Sequence, residues 1–256
     1  MKMQRLLLAS LLLLSLIAAP AWATEHIIGL GAGMAPDYEG SEDYQGVPLL
    51  MLKGSYDSGR SFNLTGNNLR VNVVPSKTYS FGPLLNYRMG RDDVDNDRVD
   101  SMKDIDGAFE LGLFGGIDID NWLLGAEFLA DVSDEHDGML GSVSAGYRWK
   151  AMPALTITPR VFTTYADNDY MDTYFGVNSG NRGGSGFSDY NADSGFKNVG
   201  VNMSVDYNPW QQWGITGLLS YSALLDDAKD SPVVDDEGDD KQLYFGLMGT
   251  YRWGSK

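Results

Sequence analysis

The sequence predicts an all-β protein: an antiparallel transmembrane β-barrel of about 12 strands, with short periplasmic turns and long acidic extracellular loops. Three observations predict it. Apolar residues alternate with small or polar ones over stretches of about 10–13 residues, longer than the usual strand and matched to the roughly 9–11 that cross a bilayer on a tilt. Connectors between those stretches alternate short and long. Acidic residues and tryptophans segregate to opposite ends of the pattern.

The first 23 residues read as an address to be removed, a cleaved Sec signal peptide. Lys2 and Arg5 make a basic start, Leu6 to Ala19 an apolar core too short to span a bilayer as a helix, and Ala21-Trp22-Ala23 a small-x-small cleavage site with Ala21 and Ala23 at its small positions. The mature chain is then expected to span residues 24–256 as one barrel. Its less regular first strands run at Ile27–Met34, Gly46–Tyr56, Arg60–Thr65 and Leu69–Val74. Thr78–Gly90 places Tyr79, Phe81, Leu85 and Tyr87 on one face, and Gly107–Asp120 does the same with Phe109, Leu111, Leu113 and Ile117. After Asp120-Asn121 the phase flips to Trp122, Leu124, Phe128 and Ala130, as a two-residue hairpin turn requires. Further alternating sets follow through Val143–Trp149, Leu155–Val161, Val199–Tyr207, Trp213–Tyr221 and Leu243–Trp253. No useful stretch of helical period and no long internal repeat accompanies them.

Counting from a periplasmic start, one end of the barrel receives Ala35–Tyr44, the tight Gly66–Asn68, Arg91–Asp106, Ser133–Gly138, Ala166–Gly195 and Leu225–Asp240. The other receives only short turns, which is the outer-membrane arrangement. Those outer loops hold 27 of the 35 acidic residues. Trp122, Trp149, Trp210, Trp213 and Trp253 all fall at the periplasmic ends, where amphipathic rings form an interface belt. A soluble sandwich gives no reason for that segregation.

Composition narrows the function. The 256 residues contain no Cys, which excludes thiol catalysis and Cys-based metal sites, and the net charge of −16 excludes a general affinity for nucleic acid. A mean hydropathy of −0.24 does not fit a bundle of apolar helices. Gly29-Leu30-Gly31-Ala32-Gly33 lies within a strand, so it lacks the strand-to-helix setting of a dinucleotide fingerprint. His26 and His136, the two histidines, fall at opposite ends of the barrel and share no site. No catalytic residue and no cofactor is expected, and His136, among Ser133, Asp134, Glu135 and Asp137, is expected in a mobile, solvated loop. Asp93, Asp95 and Asp97 have the spacing that starts a calcium loop, but Arg98 stands where such a loop needs Gly. They and Asp235–Asp240 are at most loose Ca²⁺ or Mg²⁺ bridges to lipopolysaccharide phosphates. Arg88, Arg148, Arg160 and Arg252 are expected to face Glu110, Glu127, Asp131 and Asp206 in the lumen, as a paired polar plug or a selectivity lining.

Four segments carry a family resemblance. They are Pro36-Asp37-Tyr38-Glu39-Gly40-Ser41; Gly82-Pro83 with Tyr87-Arg88-Met89-Gly90-Arg91; Tyr174-Phe175-Gly176-Val177; and Leu224-Leu225-Asp226-Asp227-Ala228-Lys229-Asp230-Ser231-Pro232. In that order they resemble the MltA-interacting protein (MipA/OmpV) family of outer-membrane proteins. The resemblance implies a non-enzymatic scaffold linking a murein lytic transglycosylase with a peptidoglycan synthase. The residues themselves leave open a cation-preferring small-solute channel or an outward-facing adhesion or binding protein. The outer membrane and its lipopolysaccharide are the expected surroundings.

Overall fold

The computed structural model describes residues 25–254; Ala21, Ala23 and the rest of the expected signal peptide lie outside them. Thirteen strands form one antiparallel sheet: β1 Glu25–Pro36, β2 Tyr44–Ser55, β3 Ser61–Thr65, β4 Asn68–Asn72, β5 Tyr79–Arg88, β6 Ala108–Ile119, β7 Trp122–Asp131, β8 Met139–Tyr147, β9 Trp149–Met152, β10 Leu155–Ala166, β11 Gly195–Tyr207, β12 Trp213–Leu224 and β13 Lys241–Trp253. The sheet closes on itself where β1 pairs with β13, from His26 opposite Trp253 to Met34 opposite Phe245. It is a twelve-strand barrel with one extra short strand, because β8 and β9 are a single crossing interrupted at Arg148. That residue leaves the ladder to donate its N–H to Asn121 O and its side chain to Asp118.

Alternation decides which way each side chain faces. On β6, Leu111, Leu113, Ile117 and Ile119 lie on the exposed outer surface while Glu110 is wholly buried inside. The outer surface is the lipid surface, so these exposed apolar side chains lie in hydrocarbon. Aromatic pairs mark both edges of that band. Trp122 meets Tyr147, and Trp213, Tyr251 and Trp253 form a run at the periplasmic rim, while Tyr87 with Phe109 and Tyr165 with Phe196 sit near the outer rim. Trp149 and Trp210 are also exposed at the periplasmic ends. Among the described residues no helix is long and apolar enough to cross a membrane.

The lumen is filled unevenly. On the β13–β1–β2 wall, Leu49, Met51 and Met248 are buried inside the barrel and pack with Ile27, Leu218 and Tyr244. The glycines of β1 permit this. A Cβ on Gly31 would sit 1.9 Å from Leu247 O and 2.7 Å from Met248 Cα, so only Gly lets the first and last strands approach this closely. Gly31→Ala should therefore weaken the seam by about 1–3 kcal/mol. Gly249→Ala, one register step away with nothing within 4 Å, should leave it unchanged. The urea midpoint of the folded band on unheated gels measures both; equal midpoints would remove the argument.

Four short helices lie in the outer loops, a departure from the expectation that none would form: α1 Asp97–Asp100, α2 Asn168–Phe175, α3 Asp226–Lys229 and α4 Pro232–Asp235. Helix α2 starts where the Asp167 carboxylate accepts the Tyr170 N–H, and α4 where Ser231 caps Val233 ahead of Pro232 at the first helical position.

Candidate functional site: a folded cap over the outer mouth

The outer loops do not wave in solvent. They share two hydrophobic cores. In one, Tyr170, Met171, Tyr174 and Phe175 of α2 pack with Leu140, Ala166, Ala192, Leu224, Ala228 and Val234. In the other, Tyr38, Val94, Val99, Met102, Val177, Phe187 and Val233 come together from the first, third, fifth and sixth loops. Hydrogen bonds tie these loops to one another. Ser231 Oγ donates to Phe175 O at 2.6 Å, Arg91 Nη1 to Tyr174 O at 3.1 Å, and Arg98 pairs with Glu237. Ser41 forms a bridge with Gly238, and the Gln242 side chain accepts the Gly40 N–H while donating to Ser41 O. Gly40 holds φ +99° there, a conformation that favours glycine.

Under this cap, groups from around the barrel converge on Tyr170. Its hydroxyl donates to Glu39 Oε2 at 2.6 Å, and Glu39 also pairs with Lys197. The Arg88 guanidinium lies 4.9 Å from the Tyr170 ring centre and donates through Nε to Glu110 at 2.7 Å. His136 stacks edge-on to Tyr170, with its Nε2 3.2 Å from Glu110 Oε1 and its Nδ1 accepting the Gly138 N–H. Glu39 follows β1, Arg88 ends β5, His136 joins β7 to β8 and Lys197 begins β11. These positions lie around the ring, so Tyr170 stands over its centre and α2 crosses the mouth. A β-bulge supplies the last group: Tyr165 pairs with Phe196 and Thr164 with Asn198, and the Lys197 left between them turns inward.

Electrostatics fix the protonation of the loop members of this cluster. Burial alone would raise the Glu39 carboxyl, but the charges of Lys197 and Arg88 and the Tyr170 hydrogen bond outweigh it and hold it below the usual carboxylate range. Burial pushes the Tyr170 phenol well above its ordinary value, so it remains the donor.

Several expectations are corrected by this geometry. His136 is 3% exposed, not solvated; the Asp131 carboxylate accepts the N–H groups of Glu135, His136 and Asp137 and folds that loop inward. Asp131 therefore serves its own loop, not a lumen arginine. Asp93, Asp95 and Asp97 do not converge: the Asp95 N–H bonds to Asp37, Asp97 opens α1, and no group of three or more His, Asp or Glu among the described residues could hold a metal ion. Other lumen charges meet their own partners. Glu127 pairs with Arg70 at 2.8 Å, Arg148 with Asp118 at 3.1 Å and Arg252 with Glu25 at 3.1 Å, while Asp206 accepts Thr216 Oγ1. Arg160 has no carboxylate within ion-pair distance among the described residues.

The segments carrying the family resemblance are largely the segments that build the cap. Tyr38, Gly40, Ser41, Arg91, Gly176 at the end of α2, and Asp230, Ser231 and Pro232 between α3 and α4 all lie in it. Pro36 closes β1, Gly90 sits against Ile105 O, and Gly82 and Pro83 belong to the β5 wall. The family described as MltA-interacting protein MipA matches residues 28–253. The chain belongs to that family. It is an outer-membrane barrel of the MipA family. It is 25% identical over 250 residues to the MltA-interacting protein of Escherichia coli (strain K12), covering 94% of this chain and 96% of that one. It is 26% identical over 234 residues to the protein YiaT of the same organism, covering 87% and 92%. Outer membrane protein Omp26La of Vibrio anguillarum is 26% identical over 223 residues, covering 84% and 80%. Among solved structures, the NanC porin has a TM-score of 0.45 at 11% identity, covering 88% and 98%, a likeness that adds nothing to what the strand pairing already establishes.

Proposed function

We propose that this MipA-family barrel is a non-enzymatic scaffold that holds a murein lytic transglycosylase at the inner surface of the outer membrane, together with a peptidoglycan synthase. The observation that carries the reading is the closed mouth. With α2 lying across the barrel and the long loops packed into one another, the extracellular side is spent on sealing, and the periplasmic rim is the accessible working face. The name of the Escherichia coli relative supports the same direction. The buried His136, fixed between Glu110 and the Gly138 N–H, has no accessible nucleophile to activate, which favours a non-enzymatic role.

The periplasmic turns are short, and a stable interface needs about 800 Å² from each partner. The docking surface therefore runs across several turns and the rim of aromatic residues. Nanodisc-embedded barrel passed over an immobilised murein lytic transglycosylase should bind saturably, with a dissociation constant on the order of 1 μM. Charge reversal in one turn should weaken binding only partly, and reversal in three should abolish it. No saturable binding at about tenfold higher concentration would sink the scaffold reading.

A further inference from the structure

Beside the Leu49–Met51–Met248 packing, toward the periplasm, the lumen leaves space. A cavity of about 490 Å³ lies inside the periplasmic half of the barrel, against β2 to β6, and reaches the turns that join β2 to β3 and β4 to β5. Its charge is opposite to that of the protein. Arg60, Arg70, Lys77 and Arg148 line it, against the one carboxylate of Asp118, in a chain of net charge −16. Asp118 is engaged by Arg148, and Arg70 by Glu127 outside the lining. Arg60 and Lys77, at the rim, pair with no carboxylate among the described residues, although Arg60 Nε donates to Val73 O. The rest of the lining is hydroxyl and amide, including Ser61, Asn63 and Thr78, with the Tyr56 and Phe114 rings beside them.

A cleft lined mainly by charges of one sign concentrates counter-ions, here anions. Guanidinium groups hold a carboxylate through paired hydrogen bonds, and hydroxyl and amide side chains next to an aromatic ring match a polyhydroxylated ring. The volume is in the range of small-molecule sites. Because the cap closes the other end, entry and exit are from the periplasm. We propose that this cavity is a periplasm-facing binding site for a small sugar acid, one to two rings in size, with Arg60 and Lys77 capturing the carboxylate and Arg70 and Arg148 completing the positive wall. The site is independent of the scaffold role and would stand if that role failed.

The test is calorimetric titration of the full protein in nanodiscs with digalacturonate, with cellobiose as the neutral disaccharide and inorganic phosphate as the bare anion. Digalacturonate should bind at least about tenfold more tightly than either, the loss expected for one missing charge-assisted hydrogen bond. Binding should weaken with added salt. Lys77→Gln and Arg60→Gln, both at exposed turn positions outside the wall pairing, should each weaken it about tenfold with the unheated gel mobility of the folded barrel retained. Equal binding of digalacturonate and cellobiose, unchanged affinity in both variants, or no heat at millimolar digalacturonate would overturn the site. Phosphate binding as tight as digalacturonate would overturn the sugar-acid class.

Discussion

A chain lacking residues 168–192, with the ends of β10 and β11 rejoined by a short Gly-Ser link, will pass current in steps across a planar bilayer where the intact protein passes none. Tyr170 and Phe175 are wholly buried in the intact protein, and Tyr170 meets groups from four parts of the ring, so α2 occupies the middle of the mouth. The splice is geometrically mild because Ala166 and Gly195 already face each other across the β10–β11 ladder. Removing the segment also strips Val177 and Phe187 from the second core, so the remaining loops lose their support and the opening is larger than the volume deleted. Steps of the same size from the intact protein would show that the cap does not seal, and would return the barrel to the solute-channel reading.

Lys197→Met will loosen the cap without unfolding the barrel. The Lys197 side chain is 4% exposed, and its neutralisation leaves Glu39 with only the Tyr170 hydroxyl and Arg88, 4.0 Å away, to answer its charge. Removing one partner of a buried pair costs about 3–5 kcal/mol, and Glu39, a fifth exposed, places this case near the lower end. The double variant Glu39→Gln with Lys197→Met should recover much of the loss, because it leaves no orphaned charge. Hydrogen exchange of the α2 amides reads the cap directly, while the unheated gel band reads the barrel. Slow exchange retained in Lys197→Met would refute the coupling. The pH dependence has a definite sign. The Glu39 carboxyl is held low in the folded state, so its contribution is complete above its unfolded value, about pH 4.3, and is lost as pH falls through the lowered folded value. The cap should stay closed at pH 5 and open only in stronger acid.

The strands were legible because lipid outside and a polar lumen inside force strict alternation, and Asp120-Asn121 marks its reversal. The break at Arg148 was not, because alternation runs straight through it: Tyr147 and Trp149 both face outward. The cap was illegible for a different reason. Val94, Val99 and Phe187 stand singly among acidic and polar neighbours and Val233 has only Val234 beside it, so no local window shows a period, and they find one another only once the barrel gathers the loops. His136 misled in the same way, since its neighbours in sequence are polar while those in space are Tyr170 and Tyr174. One signal was available: Asp167 followed by Tyr170, Met171, Tyr174 and Phe175 is a capped helix turn with one apolar face.

The seam between the first and last strands gives the lid a second meaning. Met51 and Met248 meet across it on the inside, and above it the first loop is clasped to the last, Tyr38 to Glu237 and Gly40 to Gln242, nearly the whole chain apart. None of these contacts can form before β13 has been laid beside β1. The chain therefore cannot finish its roof on an open trough, and an assembly intermediate stalled one strand short would present its outer loops unfolded to any protease outside the cell. Completion of the cylinder and protection of its exterior are one event, and an intact lid is a certificate that the last strand is in place.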